Sequence, residues 1–248
     1  MITFSDLGEY GRLGNSLFQV AAVVAHGRRI KEEVILPSEW EYRRVFQDKF
    51  EKAGIRFLPR TKLAMVYNYE APRWEYDPLP EIRNCSYKGY FQSPKYWEGY
   101  EDLIHELFSL DIEFPFSMDK TGTIHVRRGD YLMLPDHHPV VGIDYYKEAK
   151  KIMEGFGLEK FLIISDDYRW CMDNLKELGS NVSFANSNPA VDFAHLQKSQ
   201  GSIIANSSFS WWGAYLSKSK TVYPKNWFGP SLSHIDTSCL FQEGWIGI

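Results

Sequence analysis

Residues 123–131 read TIHVRRGDY, in which a run of strand-forming residues changes abruptly into charged and polar ones. The run from Thr123 to Val126 predicts a buried strand, and Gly129 predicts a loop directly after it. Neighbouring residues on a strand point to opposite faces of a sheet. We therefore expect one of Arg127 and Arg128 to meet a ligand and the other to meet a carboxylate.

An arginine at the end of such a strand is suited to phosphate, because its charge is permanent and its donors form a planar fork. Asp130, two positions after the second arginine, is able to pair with either guanidinium. The stretch is therefore either an anion site or a buried Arg–Asp pair that only holds the loop.

Outward from this stretch, the second half of the sequence alternates strand patterns with helical ones. Strands are predicted at 161–164, 181–185, 202–205 and 221–223, and helices at 144–157, 166–179, 189–198 and 209–216, with Asp144 as a cap. This alternation predicts an α/β fold with a parallel, doubly wound sheet, which binds ligands at the carboxyl ends of its strands.

The first half begins with a similar unit. A strand at 1–4 and a glycine loop at 8–14 precede an apolar helix, with Asn15 at its N-cap and Gly27 near its end. This order places backbone N–H groups where an anion can bind. An irregular aromatic stretch follows at 67–97, and a further helix is predicted at 100–108.

Composition narrows the function classes. The 248 residues suit one large domain or two small ones, and 28 basic against 32 acidic residues argue against a broad basic surface for nucleic acid. Three widely spaced cysteines argue against a disulfide framework or a zinc site and favour a reducing compartment. The apolar run at 20–25 is far shorter than the roughly 20 residues that span a bilayer. Residues 39–62 form either a contact with an anionic membrane surface or a solvated amphipathic face.

Three further segments carry candidate chemistry. The carboxylates of Asp166 and Asp167 follow a buried strand, where they bind a metal, grip a guanine or ribose edge, or cap the next helix. Residues 206–214, NSSFSWWGA, deliver hydroxyl groups to a helix start that suits a diphosphate, or form only a cap followed by a Trp211–Trp212 core anchor. The segment 89–93, GYFQS, suits stacking on a sugar or is only the edge of a core.

Taken together and in order, these segments resemble the α-1,2-fucosyltransferase family, which comprises inverting glycosyltransferases of family 11. The matching pieces are GRLGN at 11–15, GYFQS at 89–93, HVRRGDY at 125–131, SDD at 165–167, ANSSFSWW at 205–212 and PKNWF at 224–228. The resemblance implies a GT-B fold, with two Rossmann-like domains whose parallel sheets face a cleft. It further implies an acceptor-side domain at 1–115 and a GDP-sugar-binding domain at 116–248.

The resemblance also implies roles for individual residues. Arg127, Asn15 and Asp130 are the expected catalytic residues, with Arg127 on the β-phosphate and Asp130 either a general base or a structural partner. The expected donor-binding residues are Gly14, His125, Arg128, Asp166, Asp167, Ser207, Ser208 and Phe209, with His125 and one of the two aspartates on the guanosine. The acceptor-side candidates are Trp74, Tyr90 and Phe91. The chain departs from the family at Ser16, Ser199 and Gly201, which puts the choice of acceptor in question more than the donor.

The implied activity is transfer of L-fucose from GDP-fucose to the 2-hydroxyl of a terminal β-galactoside, with inversion. No cofactor or metal is expected, because a D-x-D triplet is absent and GDP-fucose serves as a co-substrate. The alternatives are a transferase for another GDP-sugar and an inactive glycan-binding homologue. The expected partners are a GDP-sugar and a glycan, without nucleic acid. The expected location is the cytoplasm, with or without peripheral attachment to a membrane.

Overall fold

The protein divides into two compact units in a computed structural model that describes residues 1–63, 67–71 and 74–248. The first unit comprises Met1–Ser109 together with Asp236–Phe241, and the second comprises Leu110–Ile235 together with Gln242–Ile248. The sequence predicts the domain change after residue 115 and assigns the whole C-terminal end to the second domain. In the structure, the short segment 236–241 returns to the first unit.

The described part of the first unit has three helices and five short strands. The elements are β1 Ile2–Thr3, α1 Leu13–Ile30, β2 Ile35–Pro37, α2 Arg43–Lys52, β3 Arg56–Leu58, β4 Tyr67–Glu70, β5 Cys85–Lys88 and α3 Glu101–Phe108. The strands pair in parallel in the order β1-β5-β4 and as β2-β3, and an Ile2–Val34 bridge links the two groups.

Helix α1 differs from its prediction at both ends. It begins at Leu13 with Arg12 as the N-cap, so Asn15 lies in the first turn and is not the cap. It also runs past Gly27 to Ile30, and its C-cap Lys31 adopts the left-handed conformation. Gly27 is a packing position, because a Cβ there would lie 2.4 Å from Cγ2 of Val34.

The aromatic stretch at 67–97 is also more ordered than predicted, apart from residues 72–73, which lie outside the described residues. It contains β4 and β5, whose parallel pairing the sequence pattern did not predict because β4 is mostly exposed. In the amphipathic segment 39–62, Phe46 and Phe50 of α2 are buried and stack on Trp40. This packing agrees with a solvated amphipathic face.

The second unit follows the predicted alternation of strands and helices. Its elements are β6 Thr121–Val126, α4 Ile143–Gly155, β7 Lys160–Ser165, α5 Tyr168–Asn174, β8 Val182–Phe184, α6 Pro189–Gln197, β9 Gly201–Ile203, α7 Ser208–Ser217, β10 Lys220–Tyr223 and β11 Ile246–Gly247. The α/β class and the parallel sheets are confirmed. Strand β11 was not predicted, and Asp144 lies in the first turn of α4 behind the N-cap Gly142.

The order of strands in this sheet positions the candidate site. The order β8-β7-β6-β9-β10-β11 is the 3-2-1-4-5-6 order of a Rossmann sheet. The direction of winding reverses between β6 and β9, and ligands bind such sheets at that point, beyond the carboxyl ends of the strands. Both strands end in the segments that the sequence analysis singled out.

Buried apolar side chains hold this sheet and its helices together. Ile124, Ile163 and Ile203 of three adjacent strands are at most 1% exposed, and Trp211 and Trp212 of α7 are fully buried. The two tryptophans are therefore packing residues, and the core anchor that the sequence analysis offered for them is present. Within the described ranges, no helix is long and apolar enough to cross a membrane.

Candidate active site

The ends of β6, β7 and β9 bring the polar motifs together. Val126 pairs in register with Ser165, so Arg127 and Asp166 are the first residues beyond two aligned strands. On the other side of β6, Ile124 is in register with Ile203, and the hydroxyl of Tyr131 donates to the carbonyl of Asn206 at 3.0 Å. Three segments that are distant in the sequence therefore share one edge of the sheet.

Arg127 lies at the centre of this edge and its side chain is 13% exposed. Its Nη1 is 2.9 Å from Oδ2 of Asp166, and its Nη2 donates to Oδ1 of Asp130. The guanidinium carbon is 5.0 Å from the centre of the Tyr131 ring. Its Nε is buried and has no partner in the described part of the protein. The Arg127 guanidinium is thus held by two carboxylates, while its Nε–H donor has no acceptor among the described residues.

Arg128 is also engaged by protein groups. Its Nε donates to Oδ2 of Asp167 at 3.2 Å, and its guanidinium carbon is 3.7 Å from the centre of the Trp170 ring. Oδ1 of Asp167 accepts the Trp170 backbone N–H at 3.2 Å, so Asp167 is the N-cap of α5. The expectation that only one of the two arginines meets a carboxylate is wrong, because the aligned end of β7 supplies a carboxylate to each.

The start of α7 offers hydroxyl and amide donors to the same edge. Ser207 is the N-cap, makes no side-chain capping bond and is 5% exposed, and Ser208 is the first helical residue. Neither serine hydroxyl makes a hydrogen bond to another described residue, and the first turn contains no acidic residue. Uncapped N–H groups at the positive end of a helix favour an anion.

His125 is buried at 4% exposure, and its ring lies 5.6 Å from that of Phe209. Burial, and after it the charge of Arg127, lowers the pKa of His125 to about 3, so the ring is neutral at physiological pH. Its Nδ1 has no partner among the described residues. The structure therefore places His125 beside Phe209 in the interior of this edge.

A cavity of about 380 Å³ lies in the same unit and is lined in part by Pro139, Pro224 and Asn226. The Asn206 amide donates to the carbonyls of Pro139 and Trp227 at 3.0 and 3.1 Å, which ties together the two loops that border the cavity. The carboxylates of Asp144 and Glu148 and the amide of Asn226 are in the lining. Such groups bind hydroxyls, and the volume suits a small polar ligand.

The candidates of the first unit form two smaller groups. Oδ1 of Asn15 accepts from Nε2 of Gln92 at 3.0 Å. Gly11, at φ +92°, permits this position, because a Cβ on it would lie 2.2 Å from Nδ2 of Asn15. Gly14 is buried in α1.

The rings of Trp74 and Tyr90 stack at 4.0 Å with an angle of 13° between them. Phe91, in contrast, is 2% exposed and packs against Phe4 and Tyr96. Of the three acceptor-side candidates, Phe91 thus belongs to the core of its unit, while Trp74 and Tyr90 are partly exposed.

Comparison with known proteins identifies the family of the chain. A family model described as Glycosyl transferase family 11 matches residues 6–248. The chain belongs to glycosyltransferase family 11. The predicted family is therefore confirmed.

Relatives of this family 11 glycosyltransferase include three named enzymes. The Escherichia coli O-antigen biosynthesis glycosyltransferase WbnK is 26% identical, over 96% of this chain and 98% of the relative. An Escherichia coli alpha-1,2-colitosyltransferase is 29% identical, over 64% of this chain and 61% of the length of that enzyme. The galactoside alpha-(1,2)-fucosyltransferase 1 of Rattus norvegicus is 33% identical over 50% of this chain, and the match spans only 36% of the rat protein.

The solved structures to which the chain is similar are more distant in sequence. NodZ alpha-1,6-fucosyltransferase soaked with GDP-fucose aligns with a TM-score of 0.47 at 14% identity, over 82% of this chain and 89% of NodZ. POFUT1 in complex with GDP-fucose aligns with a TM-score of 0.48 at 11% identity, over 90% of this chain and 97% of POFUT1.

Sequence reasoning missed several residues of the candidate site. Tyr131 lies against Arg127, Trp170 stacks on Arg128, and Gly129 leaves room for Asp166. Tyr131 and Gly129 belong to the quoted motif and were available as a signal, whereas nothing local marks Trp170. Across the described ranges, no three His, Cys, Asp or Glu side chains gather as metal ligands.

Proposed function

We propose that this family 11 glycosyltransferase transfers L-fucose from GDP-fucose to the 2-hydroxyl of a terminal β-galactoside, with inversion and without a metal ion. One observation carries the proposal: Arg127 and the uncapped start of α7 lie at the winding reversal of a Rossmann sheet. A diphosphate needs cationic and N–H donors, and this edge supplies both.

The chemistry follows from the leaving group. The acceptor oxygen forms a bond to the anomeric carbon as the bond from that carbon to the β-phosphate oxygen breaks. The electron pair of the broken bond leaves with GDP, and the hydroxyl proton passes to solvent or to a carboxylate. Preorganised donors that stabilise the departing charge lower the barrier, which is the role we assign to Arg127, Ser207 and Ser208.

Asp130 is better placed as a partner of Arg127 than as a general base. Its Oδ1 accepts a hydrogen bond from Nη2 of Arg127, so this oxygen is already engaged by the guanidinium. The cavity lined by Asp144, Glu148 and Asn226 has the size and hydroxyl-binding groups for a sugar ring. In the first unit, the Trp74–Tyr90 stack is the proposed acceptor contact, and Asn15 is a proposed catalytic residue.

The names of the relatives support an α-1,2 linkage, but they are also compatible with a sugar donor other than GDP-fucose. Two of them are named for α-1,2 transfer, one of fucose and one of colitose. The colitosyl relative favours transfer of another sugar from a GDP-sugar as the second candidate. A panel of GDP-sugars, each tested at equal concentration, separates the two.

The direct test is incubation of GDP-fucose with a panel of β-galactosides, with and without EDTA, followed by NMR assignment of the linkage. We expect an α-1,2-fucosylated product at a rate that EDTA leaves unchanged. A metal requirement would overturn the metal-independent mechanism. Binding of GDP-fucose and galactoside without turnover would instead indicate an inactive glycan-binding homologue.

A matched pair of arginine variants tests the site itself. Arg127→Ala removes the central cation and is expected to lower the transfer rate by about 10²–10³-fold. The control is Arg56→Ala, because Arg56 is 59% exposed and pairs with Glu33 on the surface. A folded Arg127→Ala protein with the transfer rate of the control would refute the assignment.

A further inference from the structure

We propose that Asp166 is a positioning residue that orients Arg127 toward the donor diphosphate and does not contact the guanosine. This inference rests on the proposed use of a GDP-sugar. It separates the two aspartates that follow β7, which the sequence left as equal candidates for the nucleoside.

Both carboxylate oxygens of Asp166 are already bonded to the loop after β6. Oδ2 is 2.9 Å from Nη1 of Arg127, and Oδ1 accepts the backbone N–H of Arg128 at 3.0 Å. The side chain is 24% exposed. A carboxylate that recognises guanine uses both oxygens for the ring N–H and the amino group, so guanine would have to compete with an existing donor at each oxygen of Asp166.

The loop itself is shaped around this carboxylate. A Cβ on Gly129 would lie 2.4 Å from Oδ2 of Asp166. Gly129 does not adopt a positive φ, so its backbone conformation alone does not call for glycine. The close approach of Asp166 is what excludes a larger residue there.

As a consequence, Asp166 holds the Arg127 guanidinium through only one of its nitrogens, Nη1. This leaves the edge formed by Nε and Nη2 to face other partners. Nη2 is bonded to Asp130, whose side chain is 47% exposed, and Nε has no partner among the described residues. A phosphate takes two parallel bonds from such an edge. Asp130 is therefore the partner that a phosphate oxygen replaces, while Asp166 stays in place.

Binding ratios distinguish a positioning role from a nucleoside contact. We propose calorimetric measurement of Kd for GDP, GMP and IDP with the wild type and with Asp166→Asn. IDP lacks only the amino group of guanine, so the IDP/GDP ratio reports the nucleoside contact. The GMP/GDP ratio reports the β-phosphate.

For Asp166→Asn, we expect the GMP/GDP ratio of Kd values to fall at least tenfold and the IDP/GDP ratio to stay at its wild-type value. The rate of fucosyl transfer at saturating donor should fall about 10²-fold, because a displacement of about 1 Å at a catalytic group has effects of that size. A lost IDP/GDP preference with an intact GMP/GDP ratio would overturn the proposal.

Two controls complete the test. Asp173→Asn changes an exposed aspartate of α5 and should leave both ratios unchanged. In an Arg127→Ala background, Asp166→Asn should not alter the GMP/GDP ratio further, because Asp166 acts through Arg127. An additive loss in that background would contradict positioning.

If Asp166→Asn does not fold, Gly129→Ala displaces the same carboxylate and takes its place. Failure of the proposed function gives a separate signature: the wild type binds GDP but transfers no fucose. The ratios are measured without an acceptor, so they still decide the role of Asp166.

Discussion

Gly129→Ala is the sharpest perturbation of the site, because it adds one methyl group and touches one side chain. The new Cβ would lie 2.4 Å from Oδ2 of Asp166, where ordinary contact begins near 3.4 Å. The carboxylate must therefore retreat by about 1 Å (3.4 − 2.4). Such a shift lengthens the 2.9 Å contact with Arg127 beyond the range of a charge-assisted hydrogen bond.

The expected effects differ between stability and activity. A hydrogen bond to a charged group is worth about 1.5–3 kcal/mol. Asp166 is partly exposed, so solvent compensates part of that loss, and we expect destabilisation of about 1–2 kcal/mol. The transfer rate should fall about 10²-fold, since the orientation of Arg127 is lost.

Urea denaturation followed by circular dichroism measures the first effect, and initial rates at saturating GDP-fucose measure the second. Gly155→Ala is the control, because a Cβ at the last residue of α4 meets no atom within 4 Å. Wild-type kinetics in a folded Gly129→Ala protein would show that Asp166 does not need its present position, and the reasoning would be wrong.

Three further outcomes are expected. Gly27→Ala should destabilise the protein by about 1–3 kcal/mol, because the overlap of the added methyl group with Val34 outweighs the higher helix propensity of alanine. Thermal unfolding measures the change, and a higher unfolding temperature of the variant would contradict the prediction. Trp212→Ala should cost about 3–5 kcal/mol in urea denaturation, since the ring is fully buried; a cost below 1 kcal/mol would argue against a core role. The pKa of His125 is about 3 in the fold and near 6.5 in an unfolded chain, so the unfolded state binds more protons between these values. The free energy of unfolding should therefore fall as the pH drops below about 6.5, and the fall should be shallower in His125→Gln; identical slopes would contradict this.

The sequence predicted the second unit well because its signals are local. The strand patterns that became β6, β7 and β9 are apolar runs that end in polar residues. Helices cover both faces of a parallel sheet, so the strands of such a sheet consist mostly of apolar residues. The first unit was predicted less well, because β4 consists mostly of exposed residues and exists through its pairing with β5. Backbone pairing of that kind leaves little trace in hydropathy.

The sequence by itself determined which chemical groups reach the edge of the sheet. A strand followed by Arg127 and Arg128, another by two aspartates and a third by two serines bring these charged and polar groups to one edge of a parallel sheet. Only the tertiary structure decided which groups remain available. Arg127 and Asp166 are 39 positions apart, and they meet because β6 and β7 pair with Val126 opposite Ser165. A shift of one residue in that register would turn the aspartate to the other face. Register is set by the packing of whole strands against the helices that cover them, and no local stretch of sequence contains it.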